Sequence, residues 1–337
     1  MVGGLFDADF CLDKIDQNGD PLTRINSVVD WEIFRPLLDE IRHPKQKSAA
    51  GPRGYDNITL FKVIVLQSLY NLSDAAAEAQ VLDRLTFKRF LGFNIGDKVP
   101  DEKTIWLFRE QLKEAGLTKK LFDRFNSFLR ENGFEARSGQ IIDACIVQSP
   151  RQRNTKEENE KIKEGKANEI KGWSDAKLCQ KDTDARWKKK NNKNFFGYEN
   201  HVQADVRHKL IRNYEVTDAS VHDSNVFEEL IDPDNTSRDV YADSAYRSEE
   251  KISHLKEAGY RPQIQEKGYR DKPLTEKQKC GNKRRAKVRA RIEHVFGVMA
   301  KRMGSTVLRG IGILRAKTRI GLRNLAYNLD RYALLSS

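Results

Sequence analysis

The sequence is poor in cysteine and contains no long apolar segment. Its four cysteines, Cys11, Cys145, Cys179 and Cys280, include no C-x-x-C pair, so we expect reduced thiols in a cytoplasmic protein rather than a disulfide framework or a zinc site. No apolar run approaches the ~18 residues of a membrane span. The first residues, MVGGLFDADF, lack the basic and apolar regions of a secretory signal. We therefore predict no association with a membrane.

Positive charge, in contrast, is plentiful. Lysine and arginine number 61 against 49 acidic residues, which gives a net charge of +12 over 337 residues. The excess lies mainly in the C-terminal third, which favours a polyanionic partner such as DNA or RNA. A generally basic soluble protein is the alternative that charge alone leaves open. The length suits two domains.

The N-terminal part of the chain predicts an irregular arm followed by a helical domain. Residues 1–26 show no clear periodicity, and from Ser27, a residue suited to N-capping, apolar residues recur at helical spacing. Asp101 follows a proline and should cap a further helix. The all-helical unit, 27–133, is a candidate DNA-binding domain, although helical packing alone is an equal explanation. Helices are predicted over 27–43, 58–72, 73–91, 101–115 and 118–132.

From Gly139 the pattern changes to strands that alternate with helices. This predicts that 139–335 form an α/β domain, a mixed sheet with helices on its faces. Residues 151–193 are charge-dense and nearly free of aliphatic residues, which indicates an inserted or flexible segment. Within it, Trp173 and Trp187 suit either stacking on DNA bases or local hydrophobic anchoring. The predicted strands are GQIIDACIVQSP, FGYENHVQADV, LIRNYEVTDAS, RDVYADSAY and RPQIQEK, and the helices are 224–231, EEKISHLKEAG, a long one from Lys283, and 306–335.

Three acids stand out by their positions in this domain. Asp143 interrupts an apolar strand, Asp243 lies in a later strand, and Glu293 sits beside the apolar stripe of the long helix. A buried ionised acid is costly unless an opposite charge offsets it, and magnesium prefers carboxylate oxygens. Two such ions can assist the cleavage of a phosphodiester. Taken singly, each acid has a structural explanation: a turn cap, a strand end and an ion pair with Arg289.

The segments around these acids resemble those of the DDE transposases of bacterial insertion sequences, in the group named after insertion sequence 5. IIDACIVQSP resembles that group's first-Asp block, VYADSAYRS its second-Asp block, and RARIEHVFGVM its Glu block. GYENHVQADV and VTDASVHDSNVF resemble its middle strands, and PDEKTIWLFREQL its N-terminal domain. The resemblance implies an RNase H-like catalytic fold. It also implies a triad of Asp143, Asp243 and Glu293 that holds two Mg2+ ions, with Mn2+ as a substitute.

The resemblance and the charge pattern also suggest DNA contacts. Arg289, in the family's R-x-x-x-E spacing, is implied to lie near the substrate phosphate, and Arg247 is predicted to contact phosphate from the turn after the second-Asp block. His222 suits either a position behind the metal ligands or a surface cap. Ala300 stands where relatives often carry lysine. Further predicted DNA contacts are Lys283, Arg284, Arg285, Lys287 and Arg291.

The function that this resemblance implies is DNA transposition. Such a protein cuts DNA at the ends of its mobile element and joins them to target DNA, so its partners are double-stranded terminal inverted repeats and target DNA, held by a homodimer within the bacterial nucleoid. Two other functions stay open. One is a DNA-binding protein of transposase ancestry that does not cut, and the other is an RNase H-like nuclease that acts on RNA hybrids or junctions.

Overall fold

The computed structural model describes residues 7–41, 54–190, 192–304 and 307–336. The chain divides into two compact units: residues 1–133, 302–304 and 321–337 form the first, and residues 134–301 and 305–320 form the second. No helix within the described ranges is long and apolar enough to cross a membrane.

The first unit is helical and closes around aromatic side chains. Phe34, Phe61 and Phe125 are fully buried, and the Phe34 ring centroid lies 5.0 Å from that of Phe61 and 6.2 Å from that of Phe125, which are normal spacings for aromatic pairs. Asp101 caps a helix as predicted, because its Oδ1 accepts a 2.8 Å hydrogen bond from the Thr104 backbone N–H. The helices are α1 (Asp7–Gln17), α2 (Pro21–Val28), α3 (Arg35–Leu38), α4 (Asn57–Tyr70), α5 (Asp74–Asp83), α6 (Leu85–Leu91), α7 (Glu102–Glu114) and α8 (Leu117–Glu131).

The irregular arm predicted for residues 1–26 is wrong over its described part. Residues 7–26 contain α1 and most of α2. The side chain of Asp20 caps α2, and Pro21 takes the first helical position, where its missing N–H costs nothing. Ser27 therefore lies inside α2 and is not an N-cap. Asp30 instead caps the single 3-10 turn that precedes α3.

The second unit is built on a six-stranded mixed sheet. Its strands are β1 (Gln140–Gln148), β2 (Arg186–Lys190), β3 (Lys193–Asp205), β4 (Ile211–Asp218), β5 (Asp239–Ala242) and β6 (Arg261–Ile264). They are ordered β2-β3-β1-β5-β6, with β4 also paired to β3. β1 is antiparallel to β3 and parallel to β5, which is parallel to β6. The predicted α/β class is confirmed: a mixed sheet is accompanied by helices, and the N-terminal region is helical.

Helices accompany this sheet, and both of its faces carry apolar residues. They are α9 (Lys156–Lys163), α10 (Asp175–Cys179), α11 (Glu249–Glu257), α12 (Glu276–Lys301) and α13 (Ile313–Leu335), of which residues from 321 onward belong to the first unit. Ile142 and Val240 join a buried cluster with Phe227. α12 packs against β1 and β5, with Ile292 and Val295 fully buried.

Regular structure occurs within residues 151–193, where the composition predicted an inserted or flexible segment. The described part of this range contains α9, α10 and β2. Ile162, Ala167 and Ile170 gather into a small buried cluster against which Trp173 packs. Trp173 is thus a local hydrophobic anchor, one of its two predicted roles. A few aliphatic residues are enough to form a small core here, because they pack against one another in the folded chain.

The helix predicted near 224–231 is instead a pair of 3-10 turns, Asp223–Asn225 and Glu228–Leu230. The carbonyl oxygen of Ser224 accepts a hydrogen bond from Lys251 Nζ of α11.

The start of α12 also differs from the prediction. The helix begins at Glu276 rather than near Lys283. Thr275 and Gln278 form a reciprocal cap, because the Thr275 backbone N–H donates to Gln278 Oε1 at 2.9 Å and the Gln278 backbone N–H donates to Thr275 Oγ1 at 3.3 Å. This capping box satisfies two backbone donors that a helix start leaves open.

Candidate active site

The pairing of β1 with β5 brings two of the three predicted acids together. Gln140 is aligned with Val240 and Ile141 with Tyr241 in this parallel ladder. Continued by two residues, the same register places Asp143 beside Asp243, which directly follows the last residue of β5. Side chains two residues apart point to the same face of a strand. Both carboxyl groups therefore leave the sheet on the same side.

Asp143 is a largely buried acid whose negative charge is only partly offset by a neighbouring positive charge. Its side chain is 16% exposed, and its Oδ2 lies 3.5 Å from Arg289 Nη2. Its Oδ1 accepts a 2.9 Å hydrogen bond from the Ala144 backbone N–H. Burial raises the pKa of Asp143 above its ordinary value, the nearby charge of Asp243 acts in the same direction, and Arg289 opposes both. The site thus favours additional positive charge at Asp143.

Arg289 reaches this acid from α12. Its Nη1 also donates a 2.8 Å hydrogen bond to Gln265 Oε1, and Gln265 directly follows β6. The guanidinium is therefore held between Asp143 and Gln265, with three donor nitrogens in one plane. Sequence patterns did not single out Gln265, because its contact depends on how β6 and α12 pack.

Glu293 lies one helical turn after Arg289 on α12, and it is exposed. The described residues contain no group of three or more His, Cys, Asp or Glu side chains that could hold a metal ion. The structure therefore brings Asp143 and Asp243 together on neighbouring strands, and Glu293 stands apart from them on the helix.

The two strand acids suit a hard divalent cation. Carboxylate oxygens are the ligands that Mg2+ prefers, and Mg2+ is usually held by one or two of them. The raised pKa of Asp143, caused first by burial and increased by the charge of Asp243, shows where a cation would offset unfavourable charge. The donor set at Asp143 and Asp243 therefore fits the divalent metal that the sequence resemblance implies.

The predicted DNA-contacting residues differ in whether their side chains already make hydrogen bonds within the protein. Arg285 donates to Asn282 Oδ1 at 3.2 Å, Arg291 donates to the Val206 carbonyl oxygen at 2.7 Å, and Arg247 lies 3.4 Å from the Ile264 carbonyl oxygen. Three others are exposed on α12, namely Lys283, Arg284 and Lys287.

His222 has the capping geometry that was one of its two predicted roles. Its Nδ1 accepts a 3.2 Å hydrogen bond from the backbone N–H of Ser224. It also lies 2.7 Å from Ser224 Oγ. His222 thereby caps the turn Asp223–Asn225.

A charged cluster near this site was not anticipated from the sequence. Lys188 Nζ lies 2.5 Å from Glu199 Oε2 and 2.7 Å from Asp223 Oδ1. Glu199 is fully buried in β3, and burial raises its pKa to about 7, with Lys188 acting in the opposite direction. The available signal was an acid inside the apolar-flanked segment GYENHVQAD. The sequence does not reveal the partner of Glu199, because Lys188 lies in the segment 151–193, whose composition predicts an insert.

Family models match both parts of the chain. Residues 136–329 match the model described as Transposase DDE domain, and residues 10–111 match the model described as Transposase domain (DUF772). The first match alone covers more than half of the chain, so this protein belongs to the DDE transposase family. Its narrower placement in the insertion sequence 5 group stays a prediction.

A solved structure is also similar to the chain at low identity. It is a piggyBac transposase synaptic complex with hairpin DNA, determined by cryo-EM, at 13% sequence identity and a TM-score of 0.46. The similarity covers 94% of this chain and 75% of that chain.

Proposed function

We propose that this DDE transposase cuts DNA at the ends of an insertion sequence and joins those ends to target DNA. The observation that supports this most is the register that sets Asp143 beside Asp243 at the ends of two parallel strands. Its partners are double-stranded DNA with terminal inverted repeats and target DNA, and it acts as a homodimer when assembled on the element ends in the nucleoid. The membership of the family supports the reaction class.

Asp143, Asp243 and Glu293 are the proposed ligands for two Mg2+ ions, with Mn2+ as a substitute. When bound, such ions activate an attacking hydroxyl and stabilise the leaving oxygen of a phosphodiester. The rest of the reaction rests on positioning by this chain's own residues, because phosphoryl transfer asks a protein mainly for alignment and charge stabilisation.

Arg289 has a double role in this proposal. Without DNA, its guanidinium lies against Asp143 and Gln265 and offsets part of the charge of the buried acid. A guanidinium binds phosphate oxygens in the same planar geometry as carboxylate oxygens. In the DNA complex, Arg289 orients the phosphate next to Asp143. The exposed Lys283, Arg284 and Lys287 extend this positive surface along α12 and hold the neighbouring backbone.

Asp243→Ala is the substitution that tests the proposal. The DNA flanking the gene supplies the end sequences, where short inverted repeats and a target duplication are expected. Oligonucleotides with these ends are incubated with Mg2+ or Mn2+. The variant should lose strand cleavage while keeping end-specific binding. Asp239→Asn is the matched control, since Asp239 lies at the other end of β5 and pairs with Arg261 at 3.1 Å.

Each alternative function predicts a different result in the same assay. Unchanged cutting by Asp243→Ala would refute the assigned role. A wild-type protein that binds ends specifically but cuts nothing with either metal would be a DNA-binding protein of transposase ancestry. Preferential cutting of RNA hybrids or junctions over linear duplex would indicate the nuclease. Binding of Mn2+, followed by electron paramagnetic resonance in wild type and Asp143→Asn, separates metal binding from cleavage.

A further inference from the structure

Lys188 projects from the edge strand β2 into a pair of acids of the catalytic domain. Its Nζ lies 2.5 Å from Glu199 Oε2 and 2.7 Å from Asp223 Oδ1. The exposed fractions of the three side chains are 22% for Lys188, 0% for Glu199 and 17% for Asp223. One ammonium group therefore joins β2, β3 and the turn after β4. The three-way contact is too enclosed to be an ordinary surface ion pair.

Asp223 links this ion-pair cluster to a turn that lies next to the candidate active site. Asp223 begins the 3-10 turn Asp223–Asn225, and α11 holds the same turn through the hydrogen bond from Lys251 Nζ to the Ser224 carbonyl oxygen. The turn packs against a second 3-10 turn, Ser244–Tyr246. Two lysines from different elements thus fix the first turn, and the first turn supports the second.

The second turn starts at one of the proposed metal ligands. Asp243 is its N-cap, and Asp243 Oδ1 accepts a 2.8 Å hydrogen bond from the Ala245 backbone N–H. Tyr246 closes the turn and is 1% exposed, with its ring centroid 5.3 Å from that of Phe227. The backbone at Asp243 therefore follows the position of this turn.

We propose that Lys188 is a positioning residue that holds the turn beneath Asp243 and so sets the direction of the Asp243 carboxyl group. This inference rests on the proposed function for the role of Asp243 as a metal ligand. A cation is needed at this place because Glu199 and Asp223 bring two acids together in a buried setting. Without Lys188, Asp223 loses its ion pair to β2, and it is the acid that can move, because it lies on a turn rather than in a strand.

The segment that contains β2 thereby gains a defined part in the enzyme. Composition alone described 151–193 as an insert, and most of its lysines are solvated. Lys188 differs from its neighbour Lys189, which is exposed on the other face of β2. The two residues have the same charge and the same strand, so they form a matched pair for substitution.

Hydrogen exchange of the protein without DNA or metal tests the structural step. Lys188→Met should speed the exchange of peptides that cover residues 219–227 and 243–248, and Lys189→Met should not. Lys188→Arg should restore slow exchange, because a guanidinium keeps the charge and can bond both acids. If Lys188→Met folds poorly, Asp223→Asn cuts the same contact and leaves Lys188 beside Glu199. Unchanged exchange over 243–248 in both variants would overturn the proposal.

Metal binding and kinetics test the functional step. Lys188→Met should weaken Mn2+ binding about 10–100-fold and lower kcat by a similar factor, as expected when support behind a metal ligand is removed. KM for element-end DNA should stay within about twofold of wild type. The reason is that the loss of an interaction made only in the transition state lowers kcat rather than raising KM. A raised KM with a reduced salt dependence and an unchanged Mn2+ affinity would make Lys188 a DNA contact and overturn the proposal.

Failure of the proposed function gives a different pattern. A wild-type protein that neither binds Mn2+ nor cleaves element ends counts against the assignment of Asp243 as a metal ligand. Unchanged exchange in Lys188→Met counts against the role of Lys188 whether or not the wild type is active. Loss of thermal stability with normal Mn2+ affinity and normal kcat would reduce Lys188 to a stabilising contact and would also overturn its positioning role.

Discussion

Replacing Glu199 by glutamine should change how the stability of the second unit depends on pH. In the folded protein, burial raises the pKa of Glu199 from 4.5 to about 7, with the hydrogen bond from Lys188 opposing the effect. Between these two values the folded chain keeps a proton that the unfolded chain releases. Stability contributed by this group is therefore full below about pH 4.5 and falls as pH rises toward about 7.

The size of this loss follows from the two pKa values. Each pH unit between them corresponds to ~1.4 kcal/mol, so the interval from 4.5 to about 7 gives a total of about 3 kcal/mol. Glutamine is close in shape and does not titrate. Its carbonyl oxygen can still accept a hydrogen bond from Lys188. Relative to wild type, Glu199→Gln should thus gain about 3 kcal/mol in unfolding free energy between about pH 4.5 and about pH 8.

The comparison must be between variant and wild type because another buried group acts in the opposite sense. Burial lowers the pKa of His201, the next-but-one residue on β3, from 6.5 to about 4. Its contribution to stability is present above about pH 6.5 and is lost as pH falls toward about 4. Over most of the pH interval that they share, the pH-dependent contributions of Glu199 and His201 to stability cancel. The wild-type stability can therefore look flat although both groups are strongly perturbed.

Two measurements check this reasoning. Nuclear magnetic resonance of protein labelled at glutamate carboxyl carbons should show one resonance that titrates near pH 7 and is missing from Glu199→Gln. Urea unfolding of the two proteins at several pH values, followed by tryptophan fluorescence, should show the widening difference. A Glu199 resonance that titrates near 4.5, or a stability difference that does not change with pH, would refute the reasoning that burial outweighs the effect of Lys188 on the pKa of Glu199.

Three further substitutions test packing in the two units. Gly197→Ala should lower the thermal transition of the second unit in circular dichroism, because its Cβ would meet the Val147 carbonyl oxygen at 2.3 Å; an unchanged transition contradicts this. Phe34→Ala should cost about 3–5 kcal/mol in urea unfolding, since Phe34 is fully buried, and a loss under about 1 kcal/mol would show that the cluster repacks. Arg109→Met should cost a similar amount, because it removes the 2.5 Å ion pair with Asp74; Asp74→Asn added to it should recover part of the loss.

The two strand acids could be predicted because an ionisable residue inside an apolar strand is conspicuous. Asp143 interrupts such a strand, and Asp243 directly follows another. Their adjacency could not be predicted from this pattern, since it depends on the choice of β5 as the parallel neighbour of β1. Long-range packing determines which strands pair, and the periodicity of a single strand gives no information about its neighbours.

Local signals explain most of the helix positions and also the errors. Asp101 was recognised as a cap because proline precedes it, whereas Asp20 was missed although Pro21 gives an equally good signal on its other side. The role of Lys188 lay beyond local signals altogether. An edge strand such as β2 has polar residues on both faces, so its pattern resembles that of a solvated segment, and only pairing with β3 shows what Lys188 contacts.

The two strand acids and Glu293 also differ in whether backbone pairing or local packing fixes their positions. Asp143 and the residue before Asp243 belong to strands that share one backbone ladder, so their relative positions can change only if ladder hydrogen bonds break. Glu293 is held differently. Ile292 and Val295 are fully buried on either side of it and fix the rotation of α12, but the Glu293 side chain itself is exposed and free of that constraint. The sheet thus places the two strand acids, whereas it does not fix the exposed Glu293 side chain. The proposed role of Lys188 fits this division, because it acts on the one strand acid that lies past the end of its strand.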